Sequence, residues 1–267
     1  MPNLLFAEFL AVTGIYDAWV KSCPITYSSP NAPTIKDITG TWLLSILAGH
    51  KRYAHITSLR GDKVSAELLG MNKIISEDAL RRALARMSET QSSTWLCHHL
   101  LASTQPALNR PWILDIDTTI KPLYGKQSGA EIGYNPNKRG RPSHVLHTYW
   151  IGNLRLVLDV ALSAGKQSSA KQTQPRLITL LDEIEPEQRP KLVRGDCGFG
   201  NEPFIIELEQ KAQPYLFKLK QTAGVKKLLT RQFNRDDWTL PTARDQGWSA
   251  LEDCLKLAGW TKKRRVI

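Results

Sequence analysis

The sequence predicts a mixed α/β protein, in which an all-helical N-terminal region precedes a mixed sheet whose elements run βββαβαβ. Three observations carry this. Over residues 1 to 104 apolar positions recur at helical spacing between recognisable caps. From residue 112 onward they alternate with period two. Three strands then follow one another before helices and strands begin to alternate, an order that gives a mixed sheet covered by helices.

The elements can be justified in turn. "MPNLLFAEFLAVTGIYDAW" is apolar but carries Glu8 and Asp17, has no basic leader and contains no apolar run of 18 residues. Neither export nor a membrane span is expected, and a cytoplasmic location follows. "TIKDITGTWLLSILAG" opens with the capping box Thr34-x-x-Asp37, places Ile38, Trp42, Leu43 and Ile46 on one face, and stops at Gly49. "SEDALRRALARMSE" has Ser76 as N-cap and Leu80, Leu84 and Met87 on one side, leaving Arg81, Arg82 and Arg86 on the other. Those arginines suit DNA phosphates, although a solvated basic face is the commoner meaning of such a pattern. "STWLCHHLLAS" makes a last helix, and its adjacent His98 and His99 point to different faces, against a shared metal. The two prolines of "TQPALNRP" mark a linker, taken as 105–111.

Strands come next: "WILDIDTTI", "HVLHTYWI" and "RLVLDVALSAG", the last two joined through the hairpin dipeptide Gly152-Asn153. "QPRLITLLDEI" is a crossover helix with Pro175 in its first turn. "KLVRGD" is a short strand ending at Asp196, "NEPFIIELEQKA" a helix capped by Asn201, and "PYLFKLK" the fifth strand.

Composition points the same way. Thirty-six Lys plus Arg against 25 Asp plus Glu give a formal charge of +11, which favours a polyanionic partner, nucleic acid first. Residues 218–267 hold 12 basic and 5 acidic residues, a net of +7, whereas residues 1–110 hold 11 and 8, a net of +3. Cys23, Cys97, Cys197 and Cys254 form no CxxC pair, so neither a disulfide framework nor a structural zinc site is suggested.

The chemistry is concentrated in the first strand. By alternation Asp115, Asp117 and Thr119 share one face, with Leu114, Ile116 and Ile120 on the other. Carboxylates set together in a strand need a cation, a basic partner or water. Asp196 alone reads as an Asp capping a turn, but in this fold order the ends of the first and fourth strands can be neighbours. Oxygen donors so placed favour Mg²⁺ or Mn²⁺, and a pair of ions about 3.5 to 4 Å apart suits phosphodiester transfer. Asp115-Ile-Asp117-Thr-Thr119 also fits the DxDxT motif of haloacid-dehalogenase-type phosphatases. That family continues into parallel αβ units, whereas a hairpin follows here, so topology favours the metal site.

With these residues in view, the chain resembles the DDE transposases of bacterial insertion sequences, whose catalytic domain is RNase H-like. "YSSPNAPTIKDITGTWLLSILAGHKRYAHITSLRGD" resembles the helical N-terminal region of one such group, "LDIDTTIKPLYGKQSGAEIGYNPNKRGRPSHVLHTYW" its first catalytic block, and "RGDCGF" the strand that carries its second Asp. The resemblance implies catalytic, metal-binding Asp117 and Asp196, with Asp115 as an auxiliary ligand, and a two-metal Mg²⁺ or Mn²⁺ site. It also implies double-stranded DNA as partner, at element ends and target, and a homodimer.

The domain plan that follows is a DNA-binding helical region over 1–104, a catalytic core over 112–220, an inserted segment over 221–261 and a return to the core over 262–267. The family's third carboxylate, a Glu in Y-x2-R-x3-E-x6-K, has no counterpart in the chain. Glu252 in "SALEDCLKLAG" does not match and reads as solvent-facing. The expectation is a C-terminally truncated, catalytically impaired transposase, with a non-catalytic DNA-binding fragment as the alternative. Within "KRGRP", Lys138, Arg139 and Arg141 suit a minor-groove contact, and a basic turn is an equal reading. Trp238 and Trp248, with Trp260, can stack on an unpaired base, though packing is the commoner role for at least two of the three. "KKRR" at 262–265 resembles a nuclear signal, a run frequent by chance.

Overall fold

A computed structural model of the chain describes every residue except 1, 137, 168, 235–237, 240–246, 248 and 250–254. The chain divides into two compact units, Met1–Gln105 and Pro106–Ile267.

The first unit is helical: α1 (Pro2–Thr13), α2 (Ile15–Lys21), α3 (Ile35–Leu47), α4 (Lys63–Leu68), α5 (Glu77–Leu84) and α6 (Glu89–Thr104), with a 3₁₀ turn over Tyr53–Leu59. The capping box that starts α3 is present: Asp37 N–H donates to Thr34 Oγ1 at 3.0 Å, and Thr34 N–H to Asp37 Oδ2 at 3.4 Å. Asp37 is buried because its other oxygen accepts the backbone N–H groups of Asn72 (2.7 Å) and Lys73 (3.2 Å), tying the helix start to a distant loop. Of the expected face of α3, Ile38 is buried and Trp42 and Leu43 pack against the core, with Thr41 and Leu44 buried beside them, whereas Ile46 is 56% exposed. Ser76 caps α5 as expected, but the helix ends at Leu84 and Ser88 starts α6, which leaves Arg86 and Met87 in the connection. Trp19 and Trp95 stack at 4.7 Å with Trp42 beside them, and Trp95 Nε1 donates to the Trp19 carbonyl at 3.0 Å.

The second unit opens with a 3₁₀ turn over Gln105–Asn109 that buries Leu108. It continues with β1 (Ile113–Pro122), β2 (Glu131–Ile132), β3 (Pro142–Ile151), β4 (Leu156–Ala164), α7 (Ser169–Glu183), β5 (Leu192–Gly195), α8 (Glu202–Gln210), β6 (Tyr215–Phe217) and α9 (Ala223–Phe233). The sheet order is β4-β3-β1-β5-β6, and the two-residue β2 lengthens the outer edge of β3. β1, β3 and β4 are antiparallel, while β5 and β6 run parallel to β1. This is the expected mixed sheet. β2 was not expected: two exposed residues carry no periodic signal. The turn between β3 and β4 spans residues 152–155, with Arg155 in the left-handed region at φ 56°, rather than the two-residue hairpin that Gly152-Asn153 suggested. Helix α7 starts six residues before Pro175, which therefore lies inside the helix.

α7 covers one face of the sheet. Tyr149 donates from its hydroxyl to the Thr173 carbonyl at 3.0 Å, and the buried His147 ring is hydrogen-bonded at both nitrogens, to Thr173 Oγ1 (2.7 Å) and Ser163 Oγ (2.8 Å). On this side lie Leu114, Ile116, Tyr149 and Ile151, each at most 2% exposed. Asp159, fully buried, pairs with Arg176 of α7 at 2.6 Å.

The C-terminal residues return to α8. Leu255 and Arg264 form an antiparallel bridge, and the buried Arg264 guanidinium spans two carboxylates of α8, Glu202 (Nη1–Oε2 2.5 Å) and Glu209 (Nε–Oε1 2.8 Å). Lys262 adds a 3.0 Å ion pair to Glu209, and the Trp260 ring lies 5.2 Å from the Arg264 guanidinium.

Candidate functional site

The face of β1 opposite α7 carries Asp115 and Asp117, as alternation requires. Their surroundings differ. Asp115 is half-buried and both its oxygens are taken by Arg194 of β5, Nε–Oδ1 and Nη2–Oδ2 at 2.6 Å each, a bidentate pair. The parallel register sets Asp115 beside Arg194 and Ile116 beside Gly195. The hydrogen bonds that Arg194 donates to Asp115 hold its guanidinium proton more tightly than usual. Gly152 closes this arrangement from the β3–β4 turn: a Cβ there would run into Asp115 Oδ2 and press on Arg194 Nη2.

The paired register ends at Ile116 and Gly195, and Asp117 and Asp196 are the next residue along each chain segment, Asp196 already in the turn that follows β5. Both residues are exposed. The Asp117 carboxylate has no hydrogen-bond or ion-pair partner among the described residues, and Asp196 uses Oδ1 to accept the Gly198 N–H at 2.9 Å. That bond orients Asp196 within the turn after β5 and leaves Oδ2 open. Burial of Phe199 (1% exposed) and the close approach of its ring to Gly195 anchor the turn. Asp117 and Asp196 thus follow the last paired residues of two neighbouring parallel strands, while Asp115 is held in an ion pair. Among the described residues no group of three or more His, Cys, Asp and Glu side chains comes together.

Arg194 and Gly152 were missed in the sequence. A signal for Arg194 was present: in "VRGD" it stands two before Asp196 and so shares its face. Gly152 had been read only as a turn residue.

The expected DNA-contacting residues are spread over the chain. Arg81 pairs with Asp78 at 3.4 Å and lies over the Tyr53 ring, Arg86 lies over Tyr27 at 4.6 Å, and Arg82 is exposed. In the loop between β2 and β3, Lys138 and Arg139 are exposed, while Arg141 stacks on Tyr124 at 4.6 Å. Trp238 is half-buried, 5.4 Å from the Phe233 ring. Trp248 and Glu252 lie outside the described residues. No described helix is long and apolar enough to cross a membrane.

The sheet order, three antiparallel strands followed by two parallel ones, is the one expected of an RNase H-like sheet. The chain belongs to the family described as Transposase DDE domain group 1, whose model matches residues 3–267. It is similar to the piggyBac transposase in a synaptic complex with hairpin DNA, at 14% identity and TM-score 0.42, over 89% of this chain and 56% of that one. It is also similar to the Mos1 mariner transposase in a paired-end complex with Mn, at 18% identity and TM-score 0.28, over 87% of this chain and 90% of that one. No curated protein matches the chain. The phosphatase reading fails on topology, since antiparallel β3 and β4 follow β1.

Proposed function

We propose that the chain is a DNA transposase that binds double-stranded DNA at element ends and target, and cuts and joins its strands with Mg²⁺ or Mn²⁺. Family membership supports the reading. The observation that supports the site is the β1/β5 register, which ends at Ile116 and Gly195 and so makes Asp117 and Asp196 the next residue of each segment, both exposed, with three of four carboxylate oxygens open.

The donor set fits a hard divalent cation. It consists of carboxylate oxygens only, from two strand ends, facing solvent. Asp117 and Asp196 would hold the ion, and when bound it supplies Lewis-acid stabilisation of charge developing on a phosphate. The protein's own groups do the positioning. The Asp115–Arg194 pair clamps β1 to β5 directly below the site, so the spacing of the two aspartates is fixed before substrate arrives. Gly198 N–H keeps Asp196 oriented. Asp115 is assigned this clamping role rather than that of an auxiliary ligand, because a ligand role would strip Arg194 of its partner. Lys138, Arg139 and Arg82 are proposed phosphate contacts, with two copies acting on a pair of ends.

Nicking of supercoiled plasmid in Mg²⁺ or Mn²⁺ tests the site. Asp117→Asn and Asp196→Asn should each lower the rate about 100-fold or more while DNA binding persists. Undiminished nicking by both variants would sink the assignment. DNA binding by the unaltered chain with no nicking would favour the non-catalytic DNA-binding reading.

A further inference from the structure

Beside the two aspartates the sheet places a third charged group. β6 runs parallel to β5, with Val193 beside Tyr215, Arg194 beside Leu216 and Gly195 beside Phe217. The Lys218 N–H donates to the Gly195 carbonyl at 3.3 Å, the bond that closes the Gly195–Phe217 pair at the end of the ladder. Lys218 thus follows the last paired residue of β6 as Asp196 follows that of β5 and Asp117 the last residue of β1 paired with β5, which puts the three at the ends of neighbouring pairings. Positions in line on β1 and β6 are two strand spacings apart, roughly 10 Å.

Lys218 is exposed, and among the described residues it has no ion pair, with Asp196 or any other acid. Its surroundings are one-sided. Residues 211–234 contain Lys211, Lys218, Lys220, Lys226, Lys227 and Arg231 and no Asp or Glu. Lys211 is neutralised by Asp182, but Lys218 and Lys220 extend from the end of β6 as free cations. An unpaired ammonium held by a strand next to two carboxylates does not serve stability, since it gains no partner. Its use is to attract an anion that approaches the carboxylates. A phosphodiester backbone is such an anion, with one phosphate at the carboxylates and the next within reach of a lysine side chain.

Resting on the carboxylate reading above, we infer that Lys218 binds the DNA backbone phosphate adjacent to the one that faces Asp117 and Asp196. It sets the strand's position along the row of strand ends. Asp117 and Asp196 mark where the strand is cut, and Lys218 fixes which phosphate arrives there.

The test uses the full chain and a 30-base-pair duplex of mixed sequence, with binding followed by fluorescence anisotropy across a salt series in Mg²⁺. Each phosphate contact adds about 0.9 to the slope of log affinity against log salt, so Lys218→Gln should flatten the slope by about 0.9 and Lys218→Arg should restore it. Acetylation of lysines, mapped by mass spectrometry, should show Lys218 protected by the duplex. An unaltered slope in Lys218→Gln, or equal acetylation of Lys218 with and without DNA, would overturn the inference. The carboxylate reading is scored separately, by nicking in Asp117→Asn and Asp196→Asn. If those variants nick normally while Lys218→Gln loses slope, the site fails and the lysine is only a backbone contact. Absence of any duplex binding removes both.

Discussion

Gly152 has no side chain where one would enter the Asp115–Arg194 pair. A methyl group there meets a carboxylate oxygen already committed to a guanidinium, and the β3–β4 turn must shift or the pair must open. Gly152→Ala should lower stability by about 1 to 3 kcal/mol, the usual range for overpacking, and should also lower nicking because the clamp below Asp117 loosens. Urea denaturation and plasmid nicking measure the two effects; a variant with unaltered midpoint and rate would show that the turn absorbs the methyl group. At this scale the sequence was partly legible. Alternation alone placed Asp115 and Asp117 on one face of β1, because period two leaves no choice. It could not say that Asp115 is spent on Arg194 while Asp117 is open, since that depends on which strand lies alongside and in what register. On the expected face of α3, Ile38 is buried and Trp42 and Leu43 pack against the core, but Ile46 is exposed for a similar reason: it fits the periodicity, yet what packs against the helix decides where the buried stripe ends.

The clasp between the C-terminal residues and α8 carries a pH dependence. Arg264 hydrogen-bonds both Glu209 and Glu202, and these bonds hold each carboxyl at about 2, well below its ordinary 4.5. A carboxyl depressed in the folded state contributes stability that is fully present above about 4.5 and is lost as pH falls toward about 2, because the unfolded chain takes up protons that the folded one refuses. Arg264→Met removes the cause of both shifts. The variant should fall below the parent in urea midpoint at pH 5, and the gap should narrow at pH 3. A gap that stays constant between the two would show that Arg264 acts through packing alone. Among elements, those with explicit end signals were the legible ones: Thr34, Ser76 and Asn201 cap the helices they were expected to cap. The start of α7 was not, because Pro175 suggests a first turn, and the six residues before it have no apolar stripe of their own. The C-terminal clasp was invisible because it joins residues 55 to 62 positions apart by charge, a distance at which sequence pattern says nothing.

For the whole molecule the order of elements made the mixed sheet legible, since strands in quick succession favour an antiparallel meander and helical crossovers favour parallel strands, but it left open that β5 lies beside β1 rather than β4. Net charge is the other property of the whole chain that bears on DNA. The formal +11 is unevenly effective. Around α5, Arg81, Arg82 and Arg86 are matched by Glu77, Asp78 and Glu89, with Arg81 paired to Asp78, so the local field is close to neutral. Residues 255–267 contain five Lys or Arg and no acid; Arg264 and Lys262 are engaged by Glu202 and Glu209, which leaves Lys256, Lys263 and Arg265 exposed and without an ion pair among the described residues. Two triple variants remove the same formal charge from these two places. Lys256, Lys263 and Arg265 changed to Gln should flatten the salt slope of duplex binding by about 2 to 3, and Arg81, Arg82 and Arg86 changed to Gln by less than about 1. Anisotropy titrations over a salt series decide it: equal flattening would mean that total charge sets the affinity, and the reverse order would return the main DNA contact to the N-terminal helices.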